Sequence, residues 1–273
     1  MPAVLVTRGV PGPVREHLAE RCRLEVWEGE GVLPRAELLE RVEGKAGLLA
    51  MLTDRVDGEL LDRAGPELAV VANYAVGFDN LDLDACTARG VLATNTPDVV
   101  TEATADLTWA LLLAAARRVA DGDRFLRAGR PWIWGPEFFL GFEVHAKTLG
   151  VIGLGRIGRA VARRAAGFAM PVLYTAGNRL PPADEADLGV AWRELDDLLA
   201  EADFVTVHTG LSPATRHLIG AGRLARMKPT AVLLNTARGG LVDDAALLAA
   251  LQAGRLGGAG LDVFVSESDP SYG

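Results

Sequence analysis

An α/β protein made of two doubly wound parallel sheets is predicted by three features of this 273-residue chain. Short runs rich in Val and Leu alternate with helix-length amphipathic stretches. The runs are nearly continuous in apolar character, as strands buried on both faces are, and the alternation occurs twice, on either side of a long helical pattern. The first series is AVLVT (3–7), LEVWE (24–28), GLLAML (47–52), LAVVANYA (68–75) and VLATNT (91–96). Pro13 and Pro34 are placed to open helices between these runs, and Gly65 and Gly90 to close them. Then comes TEATADLTWALLLAAARRVADGDRFL (101–126), read as one long helix that starts after the extended NTPD, because Pro97 drives Thr96 out of helical geometry. The boundary falls near Asp98, giving domains 1–98 and 99–273. No Ser/Gly-rich linker separates them, so the stiff helix is expected to join two jaws around a small ligand. The second series is TLGVIG (148–153), PVLYT (171–175), DFVTVHT (203–209), TAVLLNTA (230–237) and GAGLDVF (258–264).

Composition narrows the function classes. With 49% hydrophobic and 23% charged residues the chain has ample material for large cores. It carries no apolar run of about 18 residues and no basic, apolar leader at its start, so neither a membrane span nor a signal peptide is expected and the location is expected to be cytoplasmic. A net charge of −8 without a Lys/Arg run repels nucleic acid and anionic lipid, so an anionic ligand must be held by local groups. Cys22 and Cys86 match no metal or redox spacing and are read as free thiols; no metal site is expected.

TLGVIGLGRIGRAVARRAAG places Gly153, Gly155 and Gly158 in the G-x-G-x-x-G spacing, directly after a strand and opening a helix. In that context each glycine has a task. Gly153 allows a tight turn, Gly155 lets the backbone approach a pyrophosphate, and Gly158 lets helix and strand pack closely, with the phosphates over the helix N-terminus. The second domain is therefore expected to be a dinucleotide-binding domain of Rossmann type. In such domains the next strand ends in an acid that binds the ribose 2′-hydroxyl. Here Ala176 occupies that slot, 18 residues after Gly158, and Arg179 follows in the loop AGNR. With no carboxylate to repel a 2′-phosphate and an arginine nearby, the loop of Gly177, Asn178 and Arg179 suits NADP better than NAD; with Arg179 as a solvated surface charge, either would bind.

The chain resembles the D-isomer-specific 2-hydroxyacid dehydrogenases, most closely those that reduce glyoxylate and hydroxypyruvate. The resemblance is carried by VANYAVGFDNLDLDACTARGVLATNTPDVVTEATADLTWALLLAAARRV (71–119), KTLGVIGLGRIGRAVARR (147–164), LNTARGGLVDDAALLAAL (234–251) and GAGLDVF (258–264). It implies a flavodoxin-like substrate-binding first domain and NAD(P)H-dependent reduction of a small 2-oxo acid. It also implies roles. Arg238 becomes the substrate-carboxylate arginine, and Val76 and Gly77 the loop whose N–H groups receive the other side of that carboxylate, with Leu52 and Trp134 as further substrate contacts. Thr104, Arg156, Ile157, Thr236 and Ala237 join the glycine and AGNR loops in lining the cofactor, Asp262 orients the nicotinamide amide, and His208 lines or supports the cofactor. Glu267, 29 residues after Arg238, matches the glutamate that partners the catalytic histidine. That histidine follows the glutamate by about 20 residues in the family, and this sequence ends six residues after Glu267. None of His17, His145, His208 and His217 matches its position, so the C-terminal part of the domain is expected to be missing. Two readings follow: a reductase of which this chain is a fragment, or a non-catalytic nucleotide sensor of the same fold. The resemblance further implies a homodimer built on the long helix and the aromatic arm RAGRPWIWGPEFFLG (127–141), with Trp134 reaching the neighbouring subunit; alternatively Trp132 and Trp134 cover their own domain.

Overall fold

The structure, a computed structural model, describes residues 1–265. It divides into two compact units, Met1–Val99 and the chain from Val100 onward. The first contains β1 (Ala3–Val6), β2 (Arg23–Val26), β3 (Gly47–Ala50), β4 (Val70–Asn73) and β5 (Leu92–Thr94), with α1 (Gly12–Ala19), α2 (Arg35–Arg41), α3 (Gly58–Ala64) and α4 (Leu83–Ala88) between them. The sheet is wholly parallel in the order β2-β1-β3-β4-β5, the flavodoxin-like winding. Prolines open helices as the sequence expects: Pro13 lies in the first turn of α1 and Pro34 precedes α2. Gly65 caps α3 at φ 85°, and Gly90 follows α4 at φ 67°, both in backbone regions that favour glycine.

The second unit holds β6 (Leu149–Ile152), β7 (Val172–Thr175), β8 (Val190–Trp192), β9 (Phe204–Val207), β10 (Val232–Asn235) and β11 (Gly258–Leu261). They pair in parallel in the order β11-β10-β9-β6-β7-β8, the winding of a Rossmann domain. Alternate residues of these strands feed two separate cores. Leu149, Val151, Tyr174, Phe204, Val232 and Leu234 face one layer, whereas Ile152, Leu173, Val205, Val207 and Leu233 face the other. Burial on both faces explains why the strands read as continuous apolar runs. The helices are α5 (Thr101–Ala116), α6 (Val119–Arg127), α7 (Arg156–Ala165), α8 (Pro182–Leu188), α9 (Leu195–Glu201), α10 (Ala221–Leu224) and α11 (Asp244–Gln252). Among the described residues no helix is long and apolar enough to cross a membrane.

Two expectations are corrected. The pattern over 101–126 is two helices and not one, broken at Arg118, whose backbone is left-handed at φ 54°. The break is built by the returning aromatic arm: the Phe142 N–H caps the Ala116 carbonyl at 2.7 Å, and the Arg118 guanidinium lies 4.5 Å from the centre of the Phe139 ring. The second correction is β8, a three-residue edge strand after the left-handed Gly189, which the apolar runs did not announce.

Candidate active site

Every sequence-predicted cofactor residue of the sheet region in the second unit stands at the carboxyl ends of its strands. Gly153 follows β6, Gly177 to Arg179 follow β7, His208 follows β9, Thr236 to Arg238 follow β10, and Asp262 follows β11. Because the strands are all parallel, their ends share one edge of the sheet, with the reversal of winding between β6 and β9. A ligand of an open α/β sheet binds at such a reversal.

The glycine loop fits a dinucleotide on steric grounds. Gly153 has φ 93°, and a side-chain carbon there would lie 2.4 Å from the carbonyl oxygen of His208, so the loops after β6 and β9 pass too closely for any other residue. A carbon on Gly158 would lie 2.1 Å from the Gly153 carbonyl oxygen, so α7 packs against its own loop. Gly155, by contrast, faces open space at the N-terminus of α7, where a phosphate can approach the backbone. Arg156, the first residue of α7, is exposed, and Ile157 packs against the core.

After β7, Ala176 is half-buried and Gly177, Asn178 and Arg179 are exposed. Arg179 is held by Glu185 through two hydrogen bonds, Nε to Oε1 at 2.8 Å and an Nη to Oε2 at 3.0 Å, and its guanidinium lies 5.4 Å from the centre of the Trp192 ring. Tyr174 donates its hydroxyl to the same Oε1 at 2.8 Å and accepts the Leu180 N–H at 2.7 Å, tying the loop to its strand. Arg179 and then Tyr174 hold the Glu185 carboxyl below its usual range. Sequence reasoning missed Glu185, although it lies six residues from Arg179.

His208 is neutral. Burial pushes its imidazole down to about 4, and Nε2 lies 2.8 Å from the Thr206 hydroxyl. A group so poised is no imidazolium at neutral pH. Thr236 is buried with its hydroxyl 3.0 Å from that of Thr108, which in turn donates to the Thr104 carbonyl at 2.8 Å. Since Thr108 spends its only proton on Thr104, Thr236 is the donor of the pair, which leaves its lone pairs for a ligand. Asn235 organises the next turn: its side chain accepts the Ala237 N–H at 3.0 Å and donates to the Arg238 carbonyl at 2.9 Å, while its backbone carbonyl accepts the Asp262 N–H. Arg238 is half-buried, with an Nη donating to the Ala237 carbonyl at 2.7 Å. Asp262 is exposed, and Glu267 lies outside the described residues.

In the first unit Leu52 follows β3 and Val76 and Gly77 follow β4, again at carboxyl ends. Leu52 is 44% exposed, and Val76 and Gly77 are half-buried. Beneath them lies a polar network that sequence reasoning did not single out. The buried Asp54 accepts the Thr7 hydroxyl and the Met51 N–H, and burial raises its carboxyl above the usual range against those two bonds. Asn73 and Asn80 exchange amide hydrogen bonds, Asn80 also donates to the Asp54 carbonyl, and Asn95 donates separately to the Val76 carbonyl. Trp134 is 78% exposed, whereas Trp132 stacks on Phe138 at 5.6 Å.

A wholly parallel, doubly wound sheet with a sterically fitted glycine loop at its winding reversal defines a dinucleotide-binding protein. Residues 109–272 match the family model described as D-isomer specific 2-hydroxyacid dehydrogenase, NAD binding domain. A glyoxylate reductase of Thermococcus kodakarensis is 49% identical over 99% of this chain and 81% of its own length. A crystal structure of a Thermus thermophilus protein superposes with a TM-score of 0.90 at 50% identity, covering 99% of this chain and 85% of that one. That of the NADPH-dependent glyoxylate/hydroxypyruvate reductase of Sinorhizobium meliloti, in complex with NADP and malonate, superposes at 0.84 and 33% identity, covering 97% and 80%. The chain belongs to the D-isomer-specific 2-hydroxyacid dehydrogenase family.

Proposed function

We propose that the protein reduces glyoxylate or hydroxypyruvate to the corresponding 2-hydroxy acid with NADPH, NAD(H) serving as the weaker alternative. The observation that carries this reading is Arg238, a half-buried guanidinium at the end of β10, in a chain 49% identical to a glyoxylate reductase. The retained arginine and the names of the relatives favour a reductase over a nucleotide sensor.

When bound, the nicotinamide supplies a hydride to the substrate carbonyl carbon. Arg238 grips the substrate carboxylate with its planar fork, and the N–H groups of Val76 and Gly77 take its other side, which fixes the neighbouring carbonyl for attack. Leu52 borders the substrate, and Trp134 reaches the substrate pocket of the neighbouring subunit. Thr104, Thr236 and Ala237 would line the cofactor, Asp262 would accept the nicotinamide amide N–H, and Glu267 would hold in its charged form the histidine that the family places about 20 residues after it, which donates the proton to the carbonyl oxygen. His208, neutral at working pH, supports the cofactor loop and is not the acid. In this reading residues 1–98 are the substrate domain and 99–273 the cofactor domain, of a cytoplasmic homodimer.

NADP is favoured because Ala176 leaves no carboxylate in the ribose slot and Arg179 stands three residues on. The pair with Glu185 does not prevent this: the Arg179 side chain is 56% exposed, so a phosphate can reach the guanidinium and compete with the Glu185 carboxylate for its fork. That the S. meliloti relative was solved in complex with NADP and malonate is in keeping with a small carboxylate substrate. The test is steady-state oxidation of NADPH with glyoxylate and hydroxypyruvate. In the protein extended through the segment in which the family carries its catalytic histidine, turnover with at least one acid is expected, and none with either, from an extended protein that binds NADPH, would overturn the proposal.

A further inference from the structure

Three consecutive peptide planes after β4 are anchored by their carbonyls. The Ala75 carbonyl accepts the Thr96 N–H at 2.9 Å, the Val76 carbonyl accepts Nδ2 of Asn95 at 2.9 Å, and the Gly77 carbonyl accepts Nδ2 of Asn73 at 2.7 Å. None of the peptide bonds among the described residues is cis. In a planar trans peptide the N–H points opposite to the C=O of the same unit, so tethering these carbonyls turns the N–H groups of Val76, Gly77 and Phe78 away from the anchors. Among the described residues no acceptor takes any of the three, although Val76 and Gly77 are half-buried. Buried N–H groups seldom go unpaired, and consecutive free ones form an anion-binding concavity.

The anchors differ in kind. Asn73 is buried and exchanges amide hydrogen bonds with Asn80 at 3.2 and 3.1 Å, and Asn80 also donates to the carbonyls of Met51 and Asp54 at 3.1 and 3.0 Å. It is part of the frame. Asn95 reaches the loop from the end of the neighbouring strand β5 and donates to the one carbonyl whose orientation sets the Gly77 N–H.

We propose that Asn95 is a positioning residue for substrate: by holding the Val76 carbonyl it presents the Gly77 N–H, beside that of Val76, to the carboxylate of a 2-oxo acid. The inference rests on the assignment of this loop to the substrate carboxylate made above. Donors fixed in advance bind an anion without paying to reorder the loop, so loosening the anchor weakens carboxylate binding and leaves the cofactor domain untouched.

The experiment is oxalate titration of the isotope-labelled protein saturated with NADP⁺, followed by amide NMR, in the parent and in Asn95→Ala. In the parent the Val76 and Gly77 N–H signals shift with oxalate. In the variant oxalate binds about tenfold more weakly, the scale of one hydrogen bond, while the Kd for NADP⁺ is unchanged. Equal oxalate affinity in both proteins, with the parent shifts present, overturns the role of Asn95 and leaves the loop assignment standing. Equal weakening of oxalate and NADP⁺ overturns it too, because a general structural defect moves both. No shift at Val76 or Gly77 in the parent overturns the loop assignment and this inference together. If Asn95→Ala fails to fold, Asn95→Asp, with the same shape and no N–H to donate, carries the same comparison.

Discussion

Arg179 is held by Glu185, and the proposed exchange of that partner for a 2′-phosphate sets a prediction at the residue scale. Arg179→Ala should weaken NADPH binding about tenfold or more and leave NADH within about twofold, while Glu185→Gln, by freeing the guanidinium, should tighten NADPH by up to about fivefold. Fluorescence titration of both cofactors checks this, and an unchanged NADPH Kd in Arg179→Ala would remove Arg179 from the 2′-phosphate site. His208 sets a second. Its folded-state value of about 4 lies below the usual 6.5, so the folded protein binds fewer protons than the unfolded chain between those values. Its burial therefore costs nothing above about pH 7 and destabilises the fold increasingly as pH falls from 6.5 to 4, by at most about 3 kcal/mol. Denaturant unfolding across that range should show the slope, and His208→Gln should lose that part of it. Arg179 drew attention in the sequence by its place three residues after Ala176 in the ribose slot, and His208 by its place directly after β9. Glu185 was not legible: its pairing depends on the path of the loop after β7. Asn73, Asn80 and Asn95 were not either: Asn73 and Asn80 pair through the path of the loop after β4, and Asn95 reaches the Val76 carbonyl only because β5 lies beside β4.

At the scale of elements, the glycine loop was readable because its three glycines answer to three local constraints, and those constraints separate stability from binding. Gly158→Ala puts a carbon 2.1 Å from the Gly153 carbonyl and should cost about 1–3 kcal/mol in unfolding free energy. Gly155→Ala meets open space and should cost no more than about 1 kcal/mol, yet weaken NADPH binding at least tenfold by crowding the pyrophosphate. Paired denaturation and cofactor titration measure both effects; the same profile for the two variants would refute the division of labour. Ten strands were legible from continuous apolar runs. β8 escaped because an edge strand with Val190 as its one fully buried residue leaves no such run. The break between α5 and α6 escaped because nothing local breaks the pattern: the arm that caps Ala116 arrives from 26 residues further on.

For the whole molecule, the aromatic arm gives a prediction about assembly. Phe125, Trp132, Phe138 and Phe139 pack on one another, while Ile133, Trp134 and Leu140 remain exposed, an apolar surface of the kind that protein contacts cover. Light scattering at micromolar concentration should give the mass of a dimer, and a monomer would contradict the homodimer. The two windings of the sheets were legible as two series of strands, but the order within each sheet came from general topology, and the substrate roles came from resemblance, because a single arginine or a Val-Gly turn carries no signature of its own. The central claim, that Arg238 holds the carboxylate of a 2-oxo acid during reduction, is tested most directly by kcat/KM for glyoxylate in Arg238→Ala, measured beside the Kd for NADPH. The expected result is a loss of at least about 10²-fold in kcat/KM with the NADPH affinity within about twofold of the parent. An unchanged kcat/KM for glyoxylate in an active parent background would contradict the account.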